Sequence, residues 1–348
     1  MTLPEPGPFS QPNRVKLIGE YFGDRTLSVT EAWKDVYKLL LWADATTGLA
    51  HCYESDKAQP GRPWYARTLA FHDWLAGEFG VPPDELPDHL DWMFRHVIKK
   101  VADEEAAKRE RLSKRALEQR AAFARSLPRP DDDPELRRLI EPLLPEDPGS
   151  RPDDDLIRDV LKRIRTHIGS ENKRKNLLGR GFEDVLAGVI QRIEGPKPEI
   201  LQTQAALEGI PGFRSVRSGD KAEKVDLWIA PPGGGRVLVS AKWSVRADRE
   251  KQMRGDFLTY VAANEIRAPF EFVWITNEFD PARLVANATN TEGNRWLLDA
   301  VVHICPQALR VVHQLDRPGL QRTPALLAEQ LDQGRIIGLD VWLDSLGA

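Results

Sequence analysis

The sequence predicts an α/β fold: a central mixed sheet flanked by helices, preceded by an N-terminal all-helical domain. Three observations predict it. The first 125 residues carry helical periodicity and no strand signal. A stretch rich in Pro and Asp follows. Beyond it, short apolar runs alternate with helical segments, the pattern of a chain built on one sheet.

The elements follow in order. Residues 1–13 are Pro-rich and read as a loose tail. Trp33, Val36, Tyr37, Leu40 and Leu41 then recur at helical spacing, with Ser28 or Thr30 placed to cap. A second helix is predicted over Thr68–Phe79, stopped by Gly80, Pro82 and Pro83. A third starts near Pro87–Asp88 with Leu90, Met93, Phe94 and Val97 on one face. It runs into the charge-dense segment Lys99–Arg125. Residues 1–126 are therefore taken as a helical domain and 127–154 as an acidic, Pro-rich linker. Residues 155–348 are taken as the sheet-bearing domain. Its helical patterns cover 155–168 and 176–194, then 248–264 and 283–300. Its strands are expected at Val225–Ala230, Val237–Ala241, Phe270–Thr276 and Val301–Cys305.

Composition narrows the class. A hydrophobic fraction of 41%, with ten Trp and twelve Phe, supports a packed core. Two widely spaced cysteines argue against a disulfide scaffold or a structural zinc site and suit a reducing compartment. The N-terminus lacks a signal-peptide pattern, and no apolar run is long enough to span a bilayer. No membrane association and a cytoplasmic location are expected. The net charge of −4 offers no global sign of nucleic-acid binding. A basic cleft would suffice, and the acids concentrate in the linker.

Chemistry concentrates in residues 224–257. Two apolar strands flank a Pro-Pro-Gly-Gly-Gly turn, so they should pair as a hairpin. That pairing brings Asp226, early on the first strand, to the same end of the sheet as Lys242, which closes the second. A carboxylate beside an ammonium at a strand end can bind a hard divalent cation and orient a water. The spacing is common, and the two residues alone read first as an exposed ion pair. The triple-Gly turn lacks the Gly-Lys-Ser/Thr ending of a phosphate loop. Upstream, Glu183 shares a helical face with Leu186, Ala187 and Ile190, an uncomfortable place for an acid without a partner. Asp184 is assigned to the solvated face. A Glu at a helix start that simply favours the dipole is the competing reading for Glu183.

Asp226 followed by Ser240-Ala241-Lys242 resembles the PD-(D/E)xK nuclease signature, over about residues 176–280. The branch it resembles is that of the CCGG-reading type II restriction endonucleases, the BsaWI-like and NgoMIV-like enzymes. There a Ser can stand at the second acid position, and a carboxylate fourteen residues after the lysine replaces it, here Asp256. The branch also carries a Lys-x3-Arg-x-Asp/Glu-Arg pattern, matched by Lys242, Arg246, Asp248 and Arg249. Three departures stand out, one being a gap from Asp226 to Lys242 shorter than in several CCGG enzymes. Lys224-Val225-Asp226 lacks the Pro of the signature, and Asp256 replaces a more usual Glu, with Glu250 as a fallback ligand.

The resemblance implies Mg²⁺-dependent hydrolysis of double-stranded DNA at a palindrome containing CCGG, leaving 5′-phosphates. Mn²⁺ would substitute. Asp226, Asp256, the Ala241 carbonyl and Glu183 would hold the metal, and Lys242 would orient the water. Arg246, Asp248 and Arg249 would read the half-site, since guanidinium groups donate to guanine and a carboxylate accepts from cytosine N4. A solvated helix start is the competing reading of these three. Palindrome recognition implies a homodimer or higher oligomer. The restriction context implies a DNA methyltransferase in the same system. Two rivals stand beside this expectation: a nuclease of the same fold acting in repair or on modified DNA, and a non-catalytic DNA-binding or assembly module. His51-Cys52 and His72-Asp73 lack an orienting third partner and read as packing or surface residues. Trp64, Tyr65 and Trp74 read as helical core.

Overall fold

The computed structural model describes residues 7–42, 60–62, 64–100, 160–161, 164, 177–218, 221–245 and 250–347. Six strands form one sheet: β1 (Ile200–Ala206), β4 (Lys224–Ala230), β5 (Val237–Lys242), β6 (Glu271–Thr276), β9 (Ala300–His303) and β10 (Ile336–Gly338), adjacent in that order. β1, β4 and β5 run antiparallel, and β5, β6, β9 and β10 run parallel. The sheet is therefore mixed, as expected. The interior strands are apolar almost without interruption because both of their faces are covered. All but the last residue of β5 is buried. Edge strand β1 alternates between exposed and half-buried positions.

The β4–β5 hairpin turns through Gly233, Gly234 and Gly235, whose φ values of 83°, 93° and 120° suit glycine alone. Two small hairpins accompany the sheet: β2 (Arg217–Ser218) with β3 (Lys221–Ala222), and β7 (Thr291–Glu292) with β8 (Arg295–Trp296).

The helices are α1 (Gln11–Phe22), α2 (Ala32–Leu40), α3 (Tyr65–Phe79), α4 (92–100), α5 (177–190) and α6 (Glu250–Ala263). After them come α7 (Pro281–Ala288), α8 (Pro306–His313), α9 (Arg322–Asp332) and α10 (Leu339–Ser345). α3 ends at Gly80 in the left-handed conformation, as its sequence suggests. α7 starts at Pro281, with the Asp280 side chain accepting from Ala282 N and Arg283 N. α6 packs Phe257 and Tyr260 against Phe272 of β6, at ring centroid separations of 6.3 Å and 5.3 Å. Among the described residues no helix is long and apolar enough to cross a membrane.

Four features differ from expectation. Residues 11–13 belong to α1 rather than to a loose tail, and Asn13 and Arg14 are buried. The helical pattern expected over 283–300 stops at Ala288, and the chain turns back through β7 and β8 around Gly293, with φ 61°. Strands β1 and β10 and helices α8–α10 were not anticipated.

The fourth is the domain division. Residues 1–97 and 178–348 form one compact unit, so the N-terminal helices are not a body apart from the sheet. Helices this short have too little surface to bury one another, and their aromatic faces find partners beyond residue 178. The Tyr37 ring meets Trp243 at 6.3 Å, Phe71 meets Phe279 at 5.3 Å and Trp64 meets His313 at 5.8 Å. Trp64, Tyr65 and Trp74, expected in a helical core, are instead half-buried. A Cβ at Gly188 of α5 would stand 2.5 Å from Ile18 Cγ2 of α1, so glycine permits that close approach. Residues 98–177 form a second unit, of which 98–100, 160–161, 164 and 177 are described. The expected linker and the helix expected over 155–168 fall mostly outside the described residues.

Candidate active site

The β4–β5 register pairs Leu227 with Val239, which sets Asp226 opposite Ser240. The hairpin thus brings Asp226 and Lys242 to one end of the sheet. Lys242 Nζ lies 2.6 Å from Asp226 Oδ2, with the two side chains 33% and 14% exposed. The same oxygen accepts from the Ala241 backbone N–H at 2.9 Å and lies 3.5 Å from Ser240 Oγ. Ser240 is buried. Asp226 is therefore oriented from three directions by its own hairpin partner. That is more order than an exposed ion pair has.

Glu183 sits in the second turn of α5 and is buried, its Oε2 accepting from Gln204 Nε2 of β1 at 2.7 Å. Burial, with Asp226 alongside, pushes this carboxyl up to about 8, while Gln204 and Lys242 pull the other way. Asp256 projects from α6. Burial raises it to about 6, with Lys242 lowering it and Asp226 and Glu223 raising it. Three carboxyls from three elements thus share one electrostatic neighbourhood with Lys242. Asp184, assigned to the solvated face, is instead buried in an ion pair with Arg14 of α1, Nε to Oδ2 2.6 Å. The two acids of the Glu-Asp dipeptide part ways because α1 covers the side of α5 that the periodicity left to solvent.

The donor set is all oxygen and carboxylate-rich, the chemistry that hard cations select. Among the described residues no three Asp, Glu, His or Cys side chains stand close enough to form a ready-made metal cage. Arg246, Asp248 and Arg249 lie outside the described residues. So do His51 and Cys52. Asp73 is exposed and the His72 ring packs beside Phe71. The Glu250 side chain is likewise outside the description.

Gln204 is the site residue that the sequence did not reveal. β1 alternates polar and apolar residues, ILQTQAA, and Gln204 is one of two equivalent glutamines in it. Only the sheet register distinguishes it, by placing it beside Asp226.

The fold and the site define the class: an α/β protein with a lysine and three carboxyls gathered at one end of a mixed sheet. No protein-family model and no curated protein matches the chain.

Proposed function

We propose that this chain is a magnesium-dependent endonuclease of double-stranded DNA, of the type II restriction kind, cutting at a palindrome that contains CCGG. The observation that carries the reading is the Asp226–Lys242 pair at 2.6 Å on adjacent strands, within electrostatic reach of Glu183 and Asp256.

Magnesium, when bound by Asp226, Asp256, Glu183 and the Ala241 carbonyl, would neutralise charge on the scissile phosphate and lower the pKa of a water. Lys242 supplies the fixed positive charge that orients the attacking water and faces the developing negative charge. Asp226 holds that ammonium in place through Oδ2. Asp256, at about 6, is largely ionised at neutral pH and available as an oxygen donor. In-line attack of the water on phosphorus, with the P–O3′ bond breaking and the 3′-oxygen leaving as a hydroxyl, leaves 5′-phosphate ends. Arg246, Asp248 and Arg249 follow Lys242 by four to seven residues, so the reader of the half-site would be tied to the chemistry. A two-fold homodimer would read the full palindrome. A cytoplasmic enzyme of this kind requires a companion DNA methyltransferase.

The test is digestion of unmethylated phage DNA with Mg²⁺ and sequencing of the ends. Ends clustered at one CCGG-containing palindrome are expected. Discrete ends elsewhere would keep the nuclease and remove the assignment of the reader. Tight duplex binding without cleavage in Mg²⁺ or Mn²⁺ would replace the enzyme by a DNA-binding module.

A further inference from the structure

Strand β1 is bonded to β4 along its length, and the register pairs Thr203 with Leu227 and Ala205 with Val225. Gln204 lies between those pairs, opposite Asp226, and makes no pair of its own in the ladder. Its φ is 51°, the left-handed region that side chains other than glycine and asparagine rarely occupy, and here it interrupts a strand. Such a conformation persists where its surroundings over-determine it, and local ladder breaks beside active sites re-aim a side chain. In this case the side chain reaches Glu183, Nε2 to Oε2 2.7 Å.

Both partners are braced from the same helix. Gln11 Nε2 of α1 donates to Thr203 Oγ1 at 2.8 Å, one residue before Gln204. Arg14 Nε holds Asp184 Oδ2 at 2.6 Å, one residue after Glu183. α1 thus clamps α5 and β1 on either side of the Gln204–Glu183 bond.

We propose that Gln204 is a positioning residue that holds the Glu183 carboxylate toward the divalent cation, with Gln11 and Arg14 bracing it from α1. The proposal rests on the metal-dependent reading of the site. Outer-shell partners of this kind typically contribute about 10- to 100-fold in metal affinity.

The experiment measures Mn²⁺ binding to the full chain by the electron paramagnetic resonance of free Mn²⁺, with no DNA present. Gln204→Gly removes the donor and accepts the left-handed backbone, so its unfolding temperature should not drop. It is expected to weaken Mn²⁺ about tenfold. In a Glu183→Gln background the same substitution is expected to add no further loss, because its route of action is gone. Gln11→Ala, outside the site, should give a smaller loss in the same direction. Wild-type affinity in Gln204→Gly would overturn the proposal, as would an equal additional loss in the Glu183→Gln background. A wild-type chain that takes up no Mn²⁺ would instead overturn the metal reading itself, and this inference with it.

Discussion

Glu183 and Glu278 are both nearly excluded from solvent, at 6% and 2% exposure, and burial pushes both carboxyls above the usual range. Their company differs. Glu278, just beyond β6, accepts from Val245 N and Asp280 N at 2.9 Å each and lies 3.5 Å from the buried Arg283 guanidinium. Protein donors occupy both of its oxygens. His303 is similarly committed: it bonds Glu278 O and accepts from Cys305 N, and burial lowers it to about 3. Glu183 has the single Gln204 amide and faces Asp226. A buried acid whose oxygens are consumed by donors fastens the loop after Lys242. A buried acid beside another acid, with one amide donor, instead keeps its proton. Desolvation alone does not separate scaffold from site; partner inventory does.

The comparison can be broken at several points. The largest effect is expected at the site: Asp226→Ala or Lys242→Ala should lower cleavage by about 10⁴-fold with the unfolding temperature nearly unchanged. A nicking assay beside a thermal melt checks both. Next, Glu278→Ala should destabilise by about 3 kcal/mol, because it removes the acceptor of the Val245 and Asp280 backbone N–H groups. Chemical denaturation measures this. A loss below 1 kcal/mol would erase the distinction drawn here.

Glu183 should behave in the opposite sense. Its folded value of about 8 lies above its ordinary 4.5, so the folded chain holds a proton there that the unfolded chain has released. Stability from this group is full below about pH 4.5 and is lost as pH rises through about 8. Metal-free protein should accordingly lose stability over that window, and Mg²⁺ should restore much of it. Glu183→Gln should raise the unfolding temperature by a few degrees at pH 8 and change it little at pH 5, read by scanning calorimetry. The smallest effect belongs to the scaffold. Tyr37→Phe removes the donor to Asn277 Oδ1, a buried bond of 2.8 Å, and should cost about 1–2 kcal/mol without moving metal affinity.

The β4–β5 hairpin is legible in the sequence because its signals are local. Apolar runs of strand length flank a turn only glycine can make, so Asp226 and Lys242 had to meet. Glu183 was legible from periodicity, as an acid on an apolar face. Its neighbour Asp184 was not, because its burial depends on α1, 170 residues away, supplying Arg14. β1 escaped notice because an edge strand keeps polar residues on its open side. The helical domain dissolved into a shared core for the same reason. Periodicity shows that a helix has an apolar face, not which surface covers it.

The most direct test of the central claim is nicking of supercoiled plasmid by wild type and by Lys242→Ala, each with Mg²⁺ and with EDTA. Cleavage by wild type in Mg²⁺, abolished by EDTA and by the substitution, is the predicted result. Cleavage that survives Lys242→Ala, or a wild type inert in both Mg²⁺ and Mn²⁺, would contradict it.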